Sequence, residues 1–195
     1  MHKHSEATHK QRHGSVTGFA HPHRNVERFG IEPGMRVADF GAGSGAYVLA
    51  IAEVLEGDGA VFAVDVQQDL LRRIHNEARR RHFKNVHIIW GDLERAGASK
   101  LADRTMDLVL VSNLLFQVED KQAVVREAFR ILAPGGRVAL IDWSESYGGL
   151  GPRKEDVVPR EDAAALAARG GFIEAEPFAA GAHHWGMIAR KPEDL

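Results

Sequence analysis

The sequence predicts an α/β fold, a doubly wound and mostly parallel sheet of seven strands that closes with a C-terminal antiparallel hairpin. Three observations predict it. From residue 36 onward, short runs of β-branched and aliphatic residues alternate with longer runs of helical period, the pattern of a parallel sheet covered on both faces. The turn between the first strand and the first helix reads Asp39-Phe40-Gly41-Ala42-Gly43-Ser44-Gly45, with glycine at three alternate positions. After residue 170 the rhythm breaks into two strand-like runs joined by a short link, which makes a hairpin.

Each element has its own signal. Residues 36–40 form a short buried strand, and residues 46–56 form a helix closed by Gly57, the usual residue just past a helix end. Residues 60–65 are a second strand. Residues 67–82 are a helix with Leu70, Leu71, Ile74 and Ala78 on one face. A third strand spans 86–90, a weakly patterned helix falls near 96–102, and a fourth strand spans 107–111. Residues 119–132 carry the apolar stripe Val124, Val125, Ala128, Ile131 and Leu132 of an amphipathic helix, stopped by Pro134-Gly135-Gly136. The fifth strand is 137–142. Pro159 opens a last helix that runs to Arg169 and ends at Gly170-Gly171. Strands at 172–178 and 184–190 follow, linked by Ala179-Ala180-Gly181-Ala182-His183, so the last strand runs against the others. The parallel connections are expected to be right-handed crossovers.

Size and composition narrow the class. The 195 residues suit one domain, placed at 21–195, behind a flexible tail at 1–20. Six of the 11 histidines lie in the first 23 residues (His2, His4, His9, His13, His21 and His23), at irregular spacing and without a carboxylate cluster. That tract reads as a solvated extension in preference to a metal site. The chain has no cysteine, which removes disulfides, thiolate nucleophiles and cysteine-based metal sites. A net charge of -2 offers no reason to expect nucleic acid as a partner. No apolar stretch reaches the length of a membrane span and no signal-peptide pattern opens the chain, so a cytoplasmic protein without membrane association is expected. The basic run Arg79-Arg80-Arg81 with Lys84 sits in the last turn of its helix, where cations complement the helix dipole, and reads as a solvated face. The oligomeric state is not legible.

The glycine turn says that a nucleotide-like cofactor binds. Glycines let the chain turn tightly and let a ligand approach the backbone, and the amides of the following helix point at it. Gly41, Gly43 and Ala46 also satisfy the looser dinucleotide pattern. Asp65, 24 residues after Gly41, ends the second strand, where a carboxylate can accept both ribose hydroxyls. At this level a nicotinamide cofactor and S-adenosylmethionine both remain open. Asp39 just before the glycines, Gly91-Asp92-Leu93 after the third strand, and the closing antiparallel hairpin are features that a dinucleotide domain does not require.

Taken together these residues resemble the class I S-adenosylmethionine-dependent methyltransferases, a Rossmann-like fold. The resemblance covers the chain from about residue 20 to its end. Residues 37–45 are similar to the family's glycine-rich motif, 61–66 to its acidic motif, Gly91-Asp92-Leu93 to its adenine motif, 107–113 to its fourth-strand motif and 130–142 to its fifth-strand motif. His21-Pro22-His23-Arg24, Gly151-Pro152 and His184-Trp185-Gly186 place it near small bacterial and archaeal members of the quinone-biosynthesis type. The resemblance implies S-adenosylmethionine as cofactor. The backbone at Gly41, Ala42, Gly43 and Gly45 would lie against its methionine portion, and Asp39 would orient the amino group. Asp65 would hold the ribose, Val66 would pack on adenine, and Asp92 and the Leu93 amide would read the adenine edge. Asn113 would line the site where the methyl leaves. Plainer roles stand beside these: Asp39 and Asp92 as caps, and Gly135-Gly136 as a helix terminator.

Methyl transfer from a sulfonium is a direct displacement that needs chiefly positioning, and a general base only if the acceptor must lose a proton. Asp142, ending the fifth strand, and His184, opening the reversed last strand, fall at the acceptor edge and are the candidate catalytic residues. His184 is a candidate base or orienter, and Asp142 could equally cap the loop after it. Tyr147, in the glycine-rich loop, is a candidate to close over the acceptor. The Asn/Asp-Pro-Pro-aromatic motif of amino-group methyltransferases is absent, since the stretch reads Ser112-Asn113-Leu114-Leu115. Only Asp142 matches the paired acidic positions of metal-dependent catechol-type relatives, so no metal is expected. Arsenite methylation in related enzymes uses cysteines. A small-molecule acceptor is the expectation. An NAD-dependent oxidoreductase and a non-catalytic S-adenosylmethionine-binding scaffold are the alternatives.

Overall fold

The computed structural model of the protein describes residues 20–194. The proposed tail at 1–20 lies, except for Ala20, outside the described residues. Five α-helices and seven strands follow in the order α1 (Pro22–Val26), β1 (Arg36–Phe40), α2 (Ala46–Val54), β2 (Ala60–Asp65), α3 (Gln68–Arg80), β3 (Val86–Trp90), β4 (Met106–Ser112), α4 (Lys121–Ile131), β5 (Leu132–Trp143), α5 (Arg160–Arg169), β6 (Ile173–Gly181) and β7 (His184–Arg190). They form one sheet in the order β3-β2-β1-β4-β5-β7-β6. The pairs β1–β2, β2–β3, β1–β4 and β4–β5 are parallel, while β7 pairs antiparallel with both β5 and β6. The predicted seven-stranded architecture with its closing antiparallel hairpin is the one observed.

The period of two along each strand divides the core between two faces. In β4, Leu108 and Leu110 join Val37, Val61 and Ile141 under α1, α2 and α3, with Val26, Val48, Ile51, Leu71 and Ile74 as the covering side chains. Val109 and Val111 join Ala38, Phe40, Val138 and Leu140 on the opposite face, covered by Val124, Val125, Ala128 and Ile131 of α4 and by Ala163 and Leu166 of α5. Because both faces are covered, β4 is apolar at consecutive positions, as its sequence reads. The stripe Leu71, Ile74 and Ala78 buries one side of α3 and leaves its arginines in solvent. Asp120 caps α4 by accepting from the Ala123 amide at 2.9 Å.

Three elements differ from expectation, each for a local reason. No helix forms near 96–102. The amides it would use are taken by Glu127 of α4, which is 4% exposed. Its carboxylate accepts from the Gly97 amide at 3.2 Å, the Ser99 amide at 3.1 Å and the Ser99 hydroxyl at 2.6 Å. Pro134-Gly135-Gly136 does not stop α4, which ends at Ile131. The triplet lies inside β5, where the register with β4 jumps from Met106–Leu132 to Leu108–Arg137, and Gly135 and Gly136 pair with Lys191 instead. The last hairpin is tighter than the five-residue link, since Ala179 and Gly181 already pair with β7 and leave Ala182-His183 as the turn. Sequence reasoning also missed α1. Its Asn25 is buried and donates to the Tyr47 hydroxyl at 2.8 Å and the Ala180 carbonyl at 2.9 Å, tying α1 to α2 and to the hairpin. Among the described residues no helix is long and apolar enough to cross a membrane.

Glu127 also takes two hydrogen bonds from Arg130, at 2.9 and 2.8 Å. Burial acts to raise its carboxyl, but the donors from Arg130 and Ser99 outweigh burial and hold it at about 2, below the ordinary 4.5. A group depressed in the folded state stabilises fully above its unfolded value, and the contribution is lost as pH falls toward the folded one. Glu127→Gln is therefore expected to lower the unfolding free energy by about 2 kcal/mol at neutral pH. Urea melts of variant and parent are expected to converge as pH drops from about 4.5 to about 2. A gap that stays constant over that range would show that the ionised form is not what stabilises.

Candidate active site

The carboxyl ends of the parallel strands line up along one edge of the sheet. There stand Asp39 of β1, Asp65 of β2, Trp90 of β3, Ser112 of β4 and Asp142-Trp143 of β5. Since β7 runs in reverse, its first residue, His184, reaches the same edge, directly opposite Trp143.

The glycine turn is fastened to its neighbour strand. The Gly41 and Ala42 amides both donate to the Val64 carbonyl, at 2.9 and 3.1 Å. Asp65 then bridges two segments, accepting from the Gly43 amide at 2.9 Å and from the Gln67 amide at 2.8 Å. Gly45 is required by space, and Gly43 is not. Gly45 has φ 80° and an added Cβ would stand 2.5 Å from Ile74, so α2 could not seat against α3 with any side chain there. Gly43 has φ 52° and the nearest atom to an added Cβ is 3.7 Å away. Only the Gly41 carbonyl comes within 4 Å of that added Cβ, so a side chain there would project into otherwise open space.

Beside the turn is a cavity of about 290 Å³. Asp39, residues 41–44 and Tyr47 form one wall, and Asn113, Gln117, Trp143 and His184 form the other, with Ala20 and Pro22 at the rim. Asp39 is 2% exposed. Burial, and next the nearby Asp65, push its carboxyl up to about 8, so it holds a proton at neutral pH. Asn113 adopts φ 53°, a left-handed conformation that asparagine tolerates better than most residues, and its buried Oδ1 has no hydrogen-bond partner. His184 is 4% exposed, and neither ring nitrogen has a partner. Backbone groups of the hairpin therefore do not satisfy it. Burial, with a smaller contribution from His183, pulls His184 down to about 4, so it is neutral at pH 7. Its ring lies 4.3 Å from that of Trp143 at 41°.

The other expected site residues divide into two groups. Asp65, Val66, Asp92 and Leu93 lie on the far side of the glycine turn, at the ends of β2 and β3. Asp65 is 6% exposed, and Val66 is exposed. Asp92 accepts from the Glu94 amide at 3.2 Å and Arg95 Nε at 3.1 Å, and Leu93 is buried in the core. Asp142 is fully buried and does not line the cavity. It accepts from the Trp143 amide at 2.8 Å and the Phe116 amide at 3.4 Å, pinning the loop after β4, while burial pushes it up to about 6. Tyr147 stacks on His183 at 3.8 Å, and His183 Nδ1 is 2.7 Å from Glu145. Sequence reasoning missed Tyr47, Gln117 and Trp143. For Trp143 a signal existed, because antiparallel pairing puts the residue after Asp142 opposite His184. Among the described residues no group of three or more His, Cys, Asp or Glu side chains could hold a metal ion.

A glycine turn after β1, an acidic end to β2 and a reversed seventh strand define the architecture of the class I S-adenosylmethionine-dependent methyltransferases. A profile described as a methyltransferase domain matches residues 31–166, and the chain belongs to that family. It is similar to a ubiquinone/menaquinone biosynthesis C-methyltransferase of Vibrio campbellii, 30% identical over 63% of this chain and 49% of the relative. An arsenite methyltransferase of Aquipseudomonas alcaligenes is 35% identical over 56% of this chain and 33% of the relative. The chain thus spans a third to a half of the length of these curated relatives. Among solved structures, a S-adenosylmethionine-dependent methyltransferase from Aquifex aeolicus superposes with a TM-score of 0.79 at 23% identity, over 88% of this chain and 89% of the other. The [4+2]-cyclase SpnF superposes at 0.72 with 17% identity, over 87% and 79%, and shares the fold.

The residues present fit the family's cofactor, S-adenosylmethionine. The open side of Gly43 is a cradle that a Cβ would fill, and Asp39 is a buried acid that a cationic amino group would ionise. Ligand binding is then expected to drive the proton off Asp39. Calorimetric titration with S-adenosylhomocysteine at pH 7, in buffers of differing ionisation heat, should report release of close to one proton, from a group that sits at about 8 when free. Asp39→Asn should abolish the release. Heats that are independent of buffer in the parent protein would remove the assignment.

Proposed function

We propose that the protein transfers a methyl group from S-adenosylmethionine to a small-molecule acceptor. The observation that carries this reading is one cavity with two kinds of wall. The glycine turn and Asp39 line it from one side, and Asn113 and His184, each with buried polar atoms that have no protein partner, line it from the other. When bound, the cofactor supplies a methyl already activated by its sulfonium. The chain's task is then to bind, orient and exclude water.

The roles divide by position. The backbone at residues 41–45 lies against the methionine portion, and Asp39 takes its amino group as an ionised carboxylate. Asp65 has lone pairs left beyond the Gly43 and Gln67 amides, and these accept from the ribose hydroxyls. Val66 offers an apolar face to adenine. Asp92 and the Leu93 amide read its polar edge. Asp142 holds the amides of the loop that carries Asn113 toward the cavity, which makes it a positioning residue. His184 serves as an orienter in preference to a base, because a ring at about 4 is too weakly basic to draw a proton from an alcohol or amine at neutral pH.

Two observations favour a small acceptor. The cavity is about 290 Å³, and the chain's charge is -2. Arsenite is not the proposed acceptor, since the sequence holds no cysteine to bind it.

Titration with S-adenosylmethionine, S-adenosylhomocysteine and NAD is expected to show binding of the first two only. Transfer of labelled methyl into fractions of a metabolite extract should then follow. Asp65→Ala is expected to weaken S-adenosylhomocysteine by at least ~1.4 kcal/mol, about tenfold, since a hydrogen bond to a charged group contributes roughly 1.5–3 kcal/mol. Binding of NAD without the sulfur compounds would end the methyltransferase reading. An Asp65→Ala variant with parental affinity would end the ribose assignment alone.

A further inference from the structure

We infer that His184 and Asn113 form the recognition point for an uncharged acceptor that presents an O–H or N–H group, and that anionic acceptors are excluded. The inference rests on the methyltransferase reading above and names the substrate class of that same site.

Leaving a buried polar group without a partner costs about 1–3 kcal/mol, and native proteins rarely do it without a reason. Here four such atoms belong to residues that line one cavity: Ser112 Oγ, which as a hydroxyl can turn to donate or accept, and Asn113 Oδ1, His184 Nδ1 and His184 Nε2. The amide oxygen only accepts. A neutral imidazole accepts at one nitrogen and donates from the other. Asn113 and His184 therefore present two acceptors and one donor, and a molecule that satisfies them must bring at least one hydrogen of its own.

The charge of that molecule follows from what surrounds it. No Lys or Arg lines the cavity among the described residues. Burial keeps His184 uncharged at neutral pH. An anion placed there would lose its hydration with no cation to replace it. The one ionisable carboxyl in the lining, Asp39, is claimed by the cofactor's amino group, so an ammonium acceptor has no counter-charge either. The Trp143 ring beside His184 supplies an apolar wall, and the two residues face each other across the β5–β7 ladder, so the wall and the hydrogen-bonding ring are set by the sheet.

The test uses three naphthalenes that differ at one substituent, titrated by calorimetry and saturation-transfer NMR into the protein saturated with S-adenosylhomocysteine. The probes are 2-naphthol, 2-methoxynaphthalene and 2-naphthoate. The expected result is 2-naphthol binding at least about tenfold tighter than either of the others, as in sites built around a substrate hydroxyl. His184→Phe keeps an aromatic ring and removes both nitrogens. It is expected to bring 2-naphthol and 2-methoxynaphthalene within about twofold of each other while S-adenosylhomocysteine affinity holds. His184→Gln should retain part of the preference, which a purely structural role would not produce. If a thermal scan shows that the phenylalanine variant does not fold, the parent series and the glutamine variant decide. Equal binding of 2-naphthoate, an undiminished preference in His184→Phe, or no binding by any probe would overturn the inference. Failure of S-adenosylhomocysteine itself to bind would instead bring down the methyltransferase reading beneath it.

Discussion

A carboxylate taken out of water must find donors or keep its proton, and this edge of the sheet is organised by three aspartates that meet that demand differently. Asp65 finds two backbone amides, Gly43 and Gln67, and in doing so fixes the glycine turn relative to α3. Asp142 finds the amides of Phe116 and Trp143 and so fixes the loop between β4 and α4. Asp39 is held at about 8 by burial and by the charge on Asp65. The two that are bonded to backbone shape the walls, and the third is the one we propose for the ligand's amino group. Without Asp65 the Gly43 amide would lose its acceptor and Asp39 the charge beside it, while the Gly41 and Ala42 amides would still hold the turn to Val64 of β2.

Most of the fold was legible because both of its periods are strong. The alternation within β4 and the stripe on α3 survive tertiary packing since each residue has a covered face to match. What failed depended on partners far along the chain. The helix expected at 96–102 competes with a buried carboxylate 28 residues beyond Ser99, which no local window contains. The strand β5 begins at Leu132 because Gly135 and Gly136 pair with Lys191, more than 50 residues away. Lys191 itself is buried and donates to the Phe129 and Leu132 carbonyls, each at 2.7 Å, so the end of the chain sets where α4 stops. Propensity and pattern carry no information about such pairings.

The site was legible in proportion to how much of it is backbone geometry. Glycines at positive φ and acids at strand ends leave marks in sequence, and the turn and its neighbours stand where those marks put them. Asp142 shows the limit. Its position at the edge was read correctly, but position alone does not say which way a side chain faces, and the amides of the preceding loop take this one. Tyr47 and Trp143 look like ordinary core residues in the sequence. They become wall residues because α1 ties down Tyr47 through Asn25 and because β7 brings His184 against Trp143.

Family membership and fold do not reach the acceptor. The relatives carry names as different as quinone and arsenite methylation, and a cyclase shares the architecture. In this protein the wall opposite the glycine turn is built from the end of β4 and the β5–β7 ladder. The reversed strand matters for that reason. A parallel seventh strand would deliver its last residue to this edge, followed by a loop free to wander. An antiparallel one delivers its first, directly after a two-residue turn, with the ring held by ladder bonds from Trp143 onward. The backbone that carries the ring is fixed by these pairings, and no protein group partners either ring nitrogen. We propose that this hydrogen-bonding need at His184 is the constraint the acceptor meets.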